Sequence, residues 1–301
     1  MSAERSGPPG PPEPPPAPDT VQVMDTGAQP FLTRAARRAA LESRPDVELP
    51  PIAHVTRVIG IPATVIGALL IAVSAFAGET VLAMAVLLGS LVIAWGWPRA
   101  AGLPSPKGSS SVLALTSLLL VGSFFAAETS PYLRWSSAAL ALGLIAMFVQ
   151  QLLRRDGRPR LAESVMGTAL GLVVIASGMA YLPLIHVQNG PEIIACAMVA
   201  IAAGTSADLL VRNALIRPWL LPLSMVVGGL ASTLLSVIIG APDIPPAALV
   251  GVCCAALGHA FRRLLAPEAG SFSSQGQIAT GLASVALPGA LLWALYELVV
   301  R

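Results

Sequence analysis

Few ionisable side chains fall inside the apolar stretches of this 301-residue chain, so the search for chemistry begins with them. A charge in lipid is costly and is kept for a partner or a task. Asp208 lies near the end of the stretch 193–211 with Arg212 four residues on, a spacing that places both on one helical face. His259 lies near the end of the stretch 245–262, with Arg262 and Arg263 one turn further. With those two helix ends as neighbours, Asp208, Arg212, His259, Arg262 and Arg263 would surround a basic pocket suited to a lipid phosphate or nucleotide phosphate. The competing arrangement is a local ion pair flanked by arginines that snorkel to the membrane surface.

No catalytic constellation accompanies them. The chain has no His-Glu-x-x-His, no Gly-rich loop followed by Lys and no Gly-x-Ser-x-Gly elbow. Nothing assembles a nucleophile, a base and an orienting group, so the expectation is no catalytic residue, no metal site and no cofactor. The three cysteines, Cys196, Cys253 and Cys254, all sit inside apolar stretches at spacings that suit neither zinc nor a disulfide framework, and they read as packing residues.

The elements that must position these groups are membrane helices. Hydrophobic residues make up 55% of the chain and charged residues 11%. Mean hydropathy is +0.75, which excludes a soluble globule of this size. Apolar spans fall at roughly 55–77, 80–97, 110–127, 134–153, 163–185, 193–211, 219–240, 245–262 and 278–299, each near the length of about 20 residues that crosses a hydrocarbon core. Residues 55–301 are thus read as an all-α, polytopic domain of nine transmembrane helices.

With the N-terminus in the cytoplasm, Lys and Arg collect in alternate connections, such as Arg99 with Lys107 and Arg154 to Arg160. Only Arg134 and Arg301 fall on the other side. That bias predicts a multi-pass protein of the inner membrane with its C-terminus outside. Topology consumes the basic residues, and the net charge of +2 gives no argument for nucleic acid.

The first residues are a different material. Eight prolines between Pro8 and Pro18 favour an extended, unpacked chain, so residues 1–27 read as a disordered cytoplasmic tail able to dock a protein partner. Residues 28–54 hold a short amphipathic helix and linker. Leu32, Ala35, Ala36 and Ala39 fall at helical spacing, while Arg34, Arg37 and Arg38 lie elsewhere on the wheel, a basic face for anionic phospholipid headgroups. Gly167 with Gly171, and Gly228 and Gly229 with Ser232 and Ser236, form small-residue faces that permit close helix packing.

The order of Arg154-Arg155-Asp156-Gly157-Arg158-Pro159-Arg160, Leu161-Ala162-Glu163-Ser164, Gly204-Thr205-Ser206-Ala207-Asp208 and Val227-Gly228-Gly229-Leu230-Ala231 resembles the layout of the bacterial phosphatidate cytidylyltransferase (CDP-diacylglycerol synthase) family. Gly258-His259-Ala260-Phe261-Arg262-Arg263 and Gln275-Gly276-Gln277 through Ser284, before Leu287-Pro288-Gly289, are similar to its last two helices. The resemblance implies a multi-helix fold that transfers cytidylyl from CTP to phosphatidic acid with divalent metal held by acidic residues. Both signature aspartates are missing at the best match, where Gln275-Gly276-Gln277 and Thr280-Gly281-Leu282-Ala283 stand instead. A site without carboxylates does not hold Mg²⁺ in the usual way. The expectation is therefore a non-catalytic lipid-binding or partner-binding membrane protein in which that chemistry is lost. The alternatives are a lipid-modifying transferase with a remodelled site at Asp208, His259 and Arg263, and a small-solute transporter.

Overall fold

Proline and glycine punctuate the apolar chain at the ends of its helices. Pro106 opens one helix in its first turn, and Pro245 and Pro246 open another, where a missing N–H costs nothing. Gly240 closes the helix before it at φ 82°, a left-handed conformation natural to glycine, and its N–H returns 2.8 Å to the Ser236 carbonyl.

A computed structural model describes residues 58–127, 129, 131–154 and 160–300. The helices are α1 (Gly60–Phe76), α2 (Glu79–Ala100), α3 (Pro106–Phe125), α4 (Ser136–Leu153), α5 (Leu161–Met179) and a single turn α6 (Tyr181–Leu184). There follow α7 (Gly190–Gly204), which tightens into a 3₁₀ turn over Thr205–Leu210, then α8 (Leu220–Ile239), α9 (Ile244–Leu264), α10 (Ser274–Ala286) and α11 (Pro288–Leu295). Eight segments among the described residues are long and apolar enough to cross a membrane. The first expected span, 55–77, is occupied by α1, which is shorter at 17 residues, about 26 Å of rise. The tail at 1–27 and the amphipathic segment at 28–54, with Arg34, Arg37 and Arg38, lie outside the described residues.

The distribution of side chains is that of a bundle solvated by lipid. Outward faces carry large apolar residues such as Ile66, Met84, Phe148, Leu230 and Ile238, all more than half exposed, which in water would be an aggregating surface. The interior is rich in Ala, Gly, Ser and Thr, which let backbones approach and supply hydrogen bonds between helices. Ser232 Oγ of α8 donates to the Ala247 carbonyl of α9 at 2.7 Å, and Thr168 Oγ1 of α5 donates to Ser109 Oγ of α3 at 2.9 Å. Trp97 of α2 is fully buried; its ring stacks on Phe261 of α9 at 6.1 Å, and its indole N–H donates 2.8 Å to the Gly167 carbonyl.

The last span is broken at Leu287-Pro288, where proline removes a rung of the helical ladder. Neighbouring side chains re-satisfy the freed groups, as a break inside a membrane requires. Tyr181 donates its hydroxyl 2.6 Å to the Val285 carbonyl. Ser177 donates to the Leu287 carbonyl and accepts the Ala290 N–H at 3.0 Å.

α10 runs against both α1 and α2. At its crossing with α1, a Cβ on Gly281 would stand 2.7 Å from the Gly60 carbonyl oxygen and 3.0 Å from Thr64 Oγ1, so the backbones touch only because the side chain is absent. Gly122 on α3 is helical with open space around its Cβ position. Gly281→Ala is expected to lower stability by about 1–3 kcal/mol through overpacking, while Gly122→Ala is neutral or stabilising by up to about 1 kcal/mol. Unfolding of the two variants in one detergent checks this difference of sign.

Candidate functional site

The site is built where four helix ends meet: the start of α1, the 3₁₀ turn after α7, the end of α9 and the start of α10. α7 ends because its last turn tightens. Thr205 Oγ1 back-bonds 2.7 Å to the Ile201 carbonyl, and the chain then winds as a 3₁₀ turn that carries Asp208. α9 brings His259 and Arg262 in successive turns, with Arg262 and Arg263 at its C-terminal end, where the helix dipole favours cations.

Asp208 sits between them. Arg262 Nε donates to Asp208 Oδ2 at 2.6 Å, and Arg262 Nη1 donates to Ser284 Oγ of α10 at 3.2 Å. His259 Nδ1 stands 2.9 Å from Asp208 Oδ1. The approach is close but lacks hydrogen-bond geometry, so it is an electrostatic contact between two largely buried side chains. Side-chain exposure is 3% for His259, 10% for Arg262 and 16% for Asp208, so the pair is largely withdrawn from water. A salt bridge in such a place contributes little beyond its own desolvation, whereas loss of one partner leaves a buried charge uncompensated.

Gln277 of α10 ties in the start of α1. Its Oε1 accepts the backbone N–H groups of Ile59 at 3.1 Å and Gly60 at 3.3 Å, two of the orphan donors of that helix, and its Nε2 donates 3.1 Å to the Phe272 carbonyl. Ser273 caps α10 itself by accepting the Gly276 N–H at 3.0 Å.

Around these groups lies a cavity of about 40 Å³, lined by Asp208 and Val211, by Arg262 and Arg263, by Gly60 and Ile61, and by Gln277, Thr280 and Gly281. It has room for about three waters or the leading oxygens of one anionic group. Arg263 is half-buried in this lining, within electrostatic reach of both Asp208 and Arg217.

The structure therefore places Asp208, His259, Arg262 and Arg263 together. Arg212 is exposed on the turn that follows the 3₁₀ segment and is not in the lining. Because the chain leaves α-helical geometry at Thr205, positions 208 and 212 no longer share a helical face, and the arginine hydrogen-bonded to Asp208 comes from 54 positions away. Gln277, Thr280 and Ser284 are the contributors that charge-based reading passes over. Their signal is polarity recurring every three or four positions at the start of an apolar span.

Chemically, the arrangement is a neutralised carboxylate beside surplus guanidinium charge. Asp208 with His259 resembles the orienting half of a hydrolytic triad, yet no hydroxyl or thiol is hydrogen-bonded to His259 among the described residues. Nor do three His, Cys, Asp or Glu side chains among those residues gather where they could hold a metal ion. No known protein family, curated protein or solved structure matches the chain.

Asp208→Ala is expected to destabilise the protein by about 3–5 kcal/mol, because Arg262 keeps a buried charge with its carboxylate gone. Arg212→Ala, on the exposed turn, is expected to stay within about 0.5 kcal/mol. Unfolding of both variants under one set of micelle conditions tests the contrast.

Proposed function

We propose that the chain is a non-catalytic, nine-helix protein of the inner membrane that holds the headgroup of an anionic phospholipid at the basic end of its bundle. In this reading the basic connections and the N-terminus face the cytoplasm, and the chain is a degenerate relative of the cytidylyltransferases. The Pro-rich tail at residues 1–27 is the segment that engages a cytoplasmic protein partner.

One observation carries the headgroup assignment. Arg262, Arg263 and Arg217 bring three positive charges to one end of the bundle, around the single carboxylate of Asp208 among the described residues of the cavity. Three guanidinium groups against one carboxylate leave this end of the bundle net positive, which supports an anionic headgroup as its ligand. The same commitment of Asp208 to Arg262 and His259 supports the non-catalytic reading, because a carboxylate so engaged is a poor metal ligand.

Binding to the purified protein in neutral detergent, followed through tryptophan emission, tests this. Phosphatidic acid and phosphatidylglycerol are expected to bind about tenfold more tightly than phosphatidylcholine, an advantage that falls as salt rises. Arg263→Gln is expected to remove about fivefold of it, the scale of one arginine near a charged surface. Equal affinity for the zwitterionic lipid would contradict the headgroup assignment. Magnesium-dependent consumption of CTP and phosphatidic acid would contradict the non-catalytic one.

A further inference from the structure

A second feature lies on the other side of α1. Between α1, α2 and α10 runs an apolar groove of about 410 Å³, walled by Ile59, Ile66 and Leu70, by Leu88 and Val92, and by Ile278. From Ile59 to Leu70 it follows α1 for about 16 Å, close to half of a hydrocarbon core about 30 Å thick, so its length is that of one leaflet.

Its width comes from Gly89. A Cβ at this position of α2 would meet nothing within 4 Å, unlike the close-packed Gly281, so this glycine leaves space open and serves no helix contact. The face of α2 that carries Leu88 and Val92 continues at helical spacing to Trp95, 49% exposed, and to Arg99, also exposed, at the end of the helix. Tryptophan and arginine in that order along one face, at the end of a span, are the side chains that meet a phospholipid's interface and its phosphate.

We infer that this groove is a binding site for one acyl chain of an anionic phospholipid, drawn from the leaflet on the side of the basic connections, with the headgroup beside Arg99. The site is separate from the Asp208 cavity. α1 and α10 meet backbone to backbone at Gly60 and Gly281 between the two, so this inference does not rest on the headgroup assignment at Arg263.

The test uses phosphatidylglycerol with a diazirine in its acyl chain, at low mole fraction in phosphatidylcholine vesicles holding the full-length protein. Photolabelling is expected to concentrate on residues 59–70 and 88–92. Gly89→Leu, which adds an apolar side chain where a Cβ meets open space, is expected to reduce that labelling about tenfold. Gly122→Leu, the same change at an open helical glycine outside the groove, is expected to leave it unchanged. Ala63→Leu, in the groove wall, is the second filling variant should Gly89→Leu fail to fold. Arg99→Gln is expected to equalise labelling by diazirine phosphatidylglycerol and diazirine phosphatidylcholine. Label spread evenly over the lipid-facing helices, or undiminished in a folded filling variant, would overturn the site. A preference for phosphatidylglycerol that survives Arg99→Gln would overturn the headgroup placement.

Discussion

The contact between Asp208 and Arg262 is the constraint on which the basic end of this bundle depends. A carboxylate at the end of one span and a guanidinium at the end of another are each untenable alone in a largely dry setting, so each fixes the position of the other. Arg262 extends the link to Ser284 on α10, and His259 closes on the second carboxylate oxygen. Three segments distant in sequence are thereby set in one register. The small-residue faces then let them pack: a Cβ on Gly204 would stand 2.8 Å from Ser224 Oγ and 3.0 Å from Ala255 Cβ.

That register also decides what the end of the bundle offers to a ligand. Asp208, paired with Arg262, is one carboxylate against the guanidinium groups of Arg262, Arg263 and nearby Arg217, so this end of the bundle carries net positive charge. Gln277 keeps the start of α1 from competing, because it occupies the Ile59 and Gly60 N–H groups that would otherwise seek an anion. The basic end of the bundle therefore presents side-chain charge, while the groove on the far side of α1 presents apolar side chains.

Much of the fold was legible in the sequence because lipid imposes a simple rule of length and hydropathy. The span expected at 80–97 is the helix Glu79–Ala100, and that expected at 245–262 is Ile244–Leu264. The bends were less visible. Leu287-Pro288 breaks the final span, yet what makes that break tolerable is Ser177 and Tyr181, more than a hundred positions earlier. The Asp208 contacts were hidden for a related reason. Sequence spacing points to Arg212 only if the helix continues, and the 3₁₀ turn that begins at Thr205 ends that relation. Gly89 and Gly281 are alike as letters in apolar stretches, and the three-dimensional packing alone separates a glycine that permits contact from one that leaves a space.

The most direct test is a double-mutant cycle between Asp208 and Arg262, read from reversible unfolding of the four proteins in mixed lipid and detergent micelles. The account predicts that removing both groups costs less than the sum of the single removals, with a coupling of about 2 kcal/mol. Additivity within about 0.5 kcal/mol would mean that the two side chains stand near each other without holding the helix ends, and the basis for the positive cavity would be gone.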